Sequence, residues 1–316
     1  MRYFDAHSDI LYDLTARRLK GQEQPLNRHL PGLKAGGAEG ACFAIWLDPD
    51  ERDPAAQTRR MMDTARQELT AAAGVRPVRW SEEAAEARAR GEFYIFFSAE
   101  GLDAIGDDPG RLEEYAAFGC RSAMLTWNGE NALAAGADCD LNRGLSAAGR
   151  RAVERMYRLE MLLDVSHLNE RSFWQALDAA RGPVLASHSN ARALCDVPRN
   201  LTDAQLRAVR DTGGVVGVNA WHAFLDADPA RRSMERLAEH TLHLLEVCGE
   251  EHVGCGFDFC GFLPGMGTDA TRGLGGSAQA QNFFACLREK GVTERTLRKI
   301  ARDNFLHLFS KNGVYD

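Results

Sequence analysis

Short apolar runs alternate with longer stretches of helical spacing from one end of the chain to the other. The runs cover residues 3–7, 40–47, 93–99, 122–127, 161–166, 184–187, 215–219 and 253–257. They are mostly continuous runs of apolar residues, as expected of strands buried on both faces of a parallel sheet. Between them the polar stretches carry helix signals. Ser146 precedes a segment with Val153, Met156 and Tyr157 on one face, and Thr202 with Gln205 forms a capping box ahead of Leu206 and Val209, stopped by Gly213 and Gly214. Leu237, Leu244, Leu245 and Cys248 share a stripe that ends at Gly249. Residues 293–309 predict a final helix lying against the outside of the sheet. Eight strand and helix units predict an α/β protein, a (β/α)8 TIM barrel formed by residues 1–316 as a single domain. The long interval around 49–91 is an excursion with a helix over residues 61–73. A doubly wound open sheet is the weaker alternative, because no glycine-rich dinucleotide fingerprint follows the first strand.

Composition narrows the choice of partners. A hydrophobic fraction of 45% is enough for a large core, and a net charge of −7 with interspersed signs leaves no basic stripe for nucleic acid. No apolar run is long enough to span a membrane, and Met1 leads directly into the first strand without the pattern of a signal peptide, so the expected location is cytoplasmic. The eight cysteines are scattered without a CxxC pair. That spacing fits reduced, buried thiols better than a disulfide framework or a thiolate zinc site.

Catalytic groups of such barrels sit at the carboxyl ends of the strands, and here those ends are polar in particular places. The first strand ends in Asp5-Ala6-His7-Ser8-Asp9, the third in Ser98-Ala99-Glu100-Gly101, the fifth and sixth in His167 and His188, and the eighth in Phe257-Asp258. Taken singly, each has an ordinary explanation, as a hydrogen-bonded histidine or a carboxylate capping a helix. Jointly they would be costly beside a buried core unless a divalent cation neutralised them. Three histidines, one or two aspartates and a glutamate are too many for one tetrahedral ion but suit two ions bridged by a carboxylate.

The same residues resemble the renal, or membrane, dipeptidase family of metallopeptidases. The matching segments are Asp5-Ala6-His7-Ser8-Asp9, Ser98-Ala99-Glu100-Gly101, Asp164-Val165-Ser166-His167, the run from Ser187-His188 to Leu194, Arg199-Asn200, and the run from His252 to Phe259. They span nearly the whole chain in the family's order. The resemblance implies a barrel of the metal-dependent hydrolase type and hydrolysis of dipeptides, with tolerance of a C-terminal D-residue, through a metal-bridging hydroxide. It would make His7 and Asp9 ligands of one Zn2+, His167 and His188 ligands of a second, and Glu100 the bridge; Mn2+, Fe2+ or Co2+ also suit these ligand types. Arg199 would receive the substrate's free carboxylate, and Asp258 would handle the proton of the attacking water. A homodimer is what the family suggests.

Two departures stand out. Well-known members carry a histidine after Leu-Thr that helps hold the scissile carbonyl, whereas Leu125-Thr126 is followed here by Trp127 and Asn128. Trp127 is read as a pocket wall or a core residue, and Asn128 as a substitute hydrogen-bond donor to substrate. The second aspartate of the family's last motif is Cys260, read as a buried, inert thiol. His222, three residues past Asn219, is a candidate for the substrate pocket, while His29, His240, His243, His252 and His307 are assigned to packing or the surface. Two rival functions remain: a metal-dependent amidohydrolase acting on N-acyl amino acids or cyclic amides, and a non-catalytic barrel that binds a ligand.

Overall fold

Eight parallel strands follow one another around a nearly closed barrel in the computed structural model, which describes residues 1–263 and 270–311. With one further short strand off the ring, they are β1 (Tyr3–Ser8), β2 (Ala38–Trp46), β3 (Val75–Pro77), β4 (Phe93–Glu100), β5 (Cys120–Met124), β6 (Leu162–Asp164), β7 (Val184–Ala186), β8 (Val215–Val218) and β9 (Val253–Cys255). Pairing runs β1-β2-β4-β5-β6-β7-β8-β9, and β3 lies off this path beside the first residues of β4. The seam between the last strand and the first is bridged by a side chain, with Phe257 N–H donating to Asp5 Oδ1 at 2.9 Å.

Period-two alternation separates two cores. Phe4, Ala6, Cys42, Phe96, Leu162, Leu185 and Val215 form one buried cluster although they come from six different strands, so they fill the barrel. Gly40 belongs to this inner face because a Cβ there would lie 2.2 Å from the ring of Tyr94. The alternate positions, among them Ala41, Phe43, Ile95, Phe97 and Leu163, pack outward in the larger cluster under the helices.

Three details differ from the sequence expectation. The excursion contains a helix at Pro54–Ala71 that starts before residue 61, because Asp53 accepts from Ala56 N–H and Pro54 presets the first turn, and it also holds β3 and a second helix, Ser81–Ala89. β6 and β7 are shorter than their apolar runs because Asp164 Oδ1 takes Ser166 N–H at 3.0 Å and Ser187 N–H at 3.1 Å, which turns the chain out of the ladder. The first part of the tail lies on the barrel's exterior as expected, with Leu297, Ile300 and Ala301 in the outer cluster, but its last turn does not. Phe305 and Phe309, one helical turn apart, pack on inward-facing Phe4 with centroids 6.3 and 6.2 Å away, and Asn304 ties the turn to the carbonyls of Glu250 and Val253, so this segment stoppers the amino-terminal end of the barrel. No described helix is long and apolar enough to cross a membrane.

His240 is buried in the helix Met234–Cys248, where Nδ1 accepts Ala191 N–H at 3.2 Å and Nε2–H faces Leu225 O at 2.9 Å. Both ring nitrogens are used by the neutral form, and burial lowers its pKa from 6.5 to about 4. The unfolded chain therefore gains a proton that the folded chain resists, and this site's contribution to stability is lost as pH falls from about 6.5 toward 4, by roughly 3 kcal/mol at the lower limit. Urea unfolding at pH 7 and pH 4 should show a smaller pH loss in His240→Gln than in the parent. Equal losses would show that His240 does not titrate this way. His29, His243 and His252 hold Asp13, Asp203 and the Gly214 carbonyl, and His307 is exposed.

Candidate metal centre

His7, Asp9, Glu100, His167, His188 and Asp258 converge at the carboxyl-terminal mouth of the barrel. Alternation that places Phe4 and Ala6 inside would send His7 outward. One extra residue in β1, where Asp5 to Ser8 faces Ala41 to Phe43, resets the phase, and His7 Nε2 reaches Glu100 Oε2 at 3.2 Å. Glu100 continues the inward series Tyr94, Phe96, Ser98. Its other oxygen, Oε1, lies 2.8 Å from His167 Nε2 and 3.6 Å from His188 Nε2. Asp9 Oδ1 and Asp258 Oδ1 approach His7 Nε2 at 3.6 and 3.9 Å. Two overlapping groups are close enough to share an ion, His7–Glu100–His188 and His7–Asp9–Asp258.

The outer nitrogens of two histidines are already committed. His167 Nδ1 is 2.7 Å from Asn128 Oδ1, and His188 Nδ1 is 2.7 Å from Ser187 Oγ. This fixes the rings with both Nε2 atoms inward, 2.9 Å apart, as oriented ligand histidines require. On the other side, His7 Nδ1 is buried without a partner, and His7 Nε2, Asp9 Oδ1 and Glu100 Oε2 are buried and crowd one another without a well-aligned hydrogen bond. Buried polar atoms left so are expensive, and a cation among them satisfies imidazole lone pairs and carboxylate charge together. The donor set of nitrogens and oxygens fits zinc and its first-row neighbours.

Electrostatics point the same way. Burial raises Glu100 to about 8, with Asp9 adding repulsion and His7 opposing it. Burial likewise raises Asp258 to about 6 against the attraction of His7. For His7, burial favours the neutral ring, but Glu100 and Asp9 outweigh it and raise its pKa well above the usual value. Burial, followed by the positive charges of Arg199 and His7, holds His167 well below the ordinary range, and burial with His7 does so for His188. Crowded carboxylates beside two neutral imidazoles form a site short of positive charge.

Around the centre the other sequence candidates take distinct places. Arg199 is buried, with Nη2 3.4 Å from His188 O, its guanidinium carbon 5.3 Å from the centre of the Phe224 ring, and Nε without a partner. Trp127 is half-buried, its ring 5.6 Å from Trp46 and 6.0 Å from His167, so it stands over the centre. Asn128 gives its side-chain oxygen to His167. His222 lines a cavity of about 290 Å3 with Trp221, Asp258 and Cys260, and its Nδ1 lies 3.3 Å from Arg232 Nη1. Cys260 donates its thiol to Asp258 O at 3.1 Å, and burial next to that carboxylate pushes the thiol pKa up.

Sequence reasoning missed the supports of these groups. Asn219, at the end of β8, donates from Nδ2 to Asp258 Oδ2 at 3.1 Å, and is itself held by Asn190 through paired backbone and side-chain bonds. The available signal was a polar residue closing an apolar run, the same signal that marked His167 and His188. His167 and Asp258 also have positive φ, 71° and 57°, conformations that cost a non-glycine residue about 1 kcal/mol or more and concentrate at functional sites.

Comparison with known proteins matches this architecture to one family. The family model described as membrane dipeptidase, peptidase family M19, covers residues 1–314. An uncharacterised protein from the pqqA 5′ region of Klebsiella pneumoniae is 40% identical over 220 residues, 66% of this chain and 78% of that protein. An uncharacterised dipeptidase from Schizosaccharomyces pombe is 36% identical over 213 residues, 66% of this chain and 51% of that protein. Among solved structures, a metallopeptidase from Rhodobacter sphaeroides, liganded with a phosphinate mimic of the dipeptide L-Ala-D-Ala, superposes with a TM-score of 0.86 at 29% identity and 98% coverage of both chains.

Proposed function

Since the chain belongs to the membrane dipeptidase family, peptidase family M19, and is a metallo-dipeptidase of that family, we propose that it hydrolyses dipeptides, including those with a C-terminal D-residue, using two Zn2+ ions. One observation carries the binuclear reading: Glu100 turns one oxygen toward His7 and the other toward His167 and His188. His7 and Asp9 would hold one ion, His167 and His188 the other, and Glu100 both. Such ions supply Lewis acidity toward a carbonyl and make water acidic enough to ionise near neutral pH.

The chain's own groups do the rest. Arg199, buried and with donors to spare, offers a planar fork for a carboxylate one residue beyond the scissile bond. Asp258, fixed through Oδ2 by Asn219, presents Oδ1 beside His7, where it takes a proton from water and returns it to the leaving amine. Asn128 accepts from His167 through Oδ1, supporting that ring, and leaves its Nδ2 amide to donate to substrate. Seven of the eight unpaired cysteines are buried, which favours a reducing compartment, the cytoplasm.

Metal analysis of the purified protein should return two equivalents, and hydrolysis of dipeptides ending in L- and D-residues should stop with chelator and return with zinc. Undiminished hydrolysis in a protein shown to be stripped of metal would overturn the proposal, and one tightly held equivalent in a fully active enzyme would overturn its binuclear form.

A further inference from the structure

The mouth of the site has two unlike sides. Arg199 follows β7. Around the ring of eight, β2 is four strands from β7 in either direction, so Trp46, the last residue of β2, stands diametrically opposite. Trp46 is paired in register with Glu100 on the neighbouring strand, placing it next to the metal centre. It anchors a separate apolar cluster with Cys260 and Leu263, against which Tyr12, Trp127 and Trp221 pack while remaining partly exposed. Tyr12 and Trp46 rings are 4.9 Å apart, and Trp46 meets Trp127 edge-on at 5.6 Å. These six side chains contain no acid or base of the kind that would hold a charged substituent; Cys260 sends its thiol hydrogen to a backbone carbonyl. Aromatic surface left open to water beside a cluster of buried charges gains when an apolar group covers it.

Resting on the dipeptidase reading above, we propose that this wall is the specificity site for the substrate's N-terminal residue and selects large apolar or aromatic side chains there. A dipeptide held by its carboxylate at Arg199, with its amide over Glu100, extends across the barrel mouth toward Trp46 and Trp127.

The test is kcat/KM of the zinc-loaded enzyme for X-Ala dipeptides with X as Gly, Ala, Leu, Phe, Asp or Lys, together with calorimetric binding of the corresponding phosphinate mimics. Efficiency and affinity should both rise about tenfold or more from Gly to Leu and Phe, the range that apolar pockets distinguish. Asp and Lys should be poorest. In Trp127→Ala, or in Tyr12→Ala should the first fail to fold, the Leu/Gly ratio should shrink several-fold. A flat series, or preference for Asp or Lys, overturns the wall and leaves the dipeptidase reading standing. Cleavage of none of the dipeptides overturns both.

Discussion

Asp258→Asn should lower kcat for a dipeptide by about 10²–10⁴-fold, the range contributed by a positioned proton acceptor, while two equivalents of metal stay bound. The structure makes this a clean substitution. Asn219 Nδ2 donates to Asp258 Oδ2, and an asparagine oxygen accepts that bond equally well, leaving its amide where Oδ1 faces His7. Size, left-handed backbone and the Cys260 thiol bond to the Asp258 carbonyl are unaffected. The capacity to take a proton goes, together with one negative charge beside His7. Metal analysis beside turnover decides the matter: an unchanged rate removes Asp258 from proton transfer, and a lost ion makes it a ligand instead.

Arg199→Ala should act on substrate binding. Leaving a buried charge without its partner costs roughly 2–5 kcal/mol, which corresponds to a KM increase of about 30-fold or more. Arg199→Lys should recover only part of it, since a point charge cannot reproduce the guanidinium fork. Dipeptide amides provide the control. Lacking the carboxylate, they should be poor substrates for parent and variant alike, so that the two enzymes converge. If Arg199→Ala discriminates acid from amide as strongly as the parent, the carboxylate lies elsewhere. The variant also frees His188 O from the 3.4 Å contact with Nη2, so metal content should accompany the kinetics to separate substrate loss from ligand loss.

The barrel was legible because strands buried on both faces must be apolar at nearly every position, whereas the helices covering them show a stripe. Continuous runs such as 215–219 and capped stripes such as the one starting at Thr202 carry that difference in one dimension. The convergence of the candidate ligands was legible for a related reason. A histidine or carboxylate at the end of an apolar run has no need to be there for packing, and five such ends in one chain mark one rim. The short β3, with Val75 and Arg76 half-buried and Pro77 exposed, carries no such run and went unseen.

What the sequence alone determined was therefore the class of fold, the rim on which chemistry collects and the residue types gathered there, because these follow from burial and period. Tertiary structure alone decided the phase and the supports. The bulge that turns His7 inward, the Asn128 and Ser187 bonds that orient two imidazoles, the Asn219 bond to Asp258, and the placement of Trp46 across from Arg199 all depend on contacts between residues distant in sequence. So does the end of the tail, whose apolar residues fit the outside of the barrel as well as its open end. Phe305 and Phe309 take the end because the interior there has unfilled space against Phe4 and Phe96, a volume that closing eight twisted strands into a ring creates.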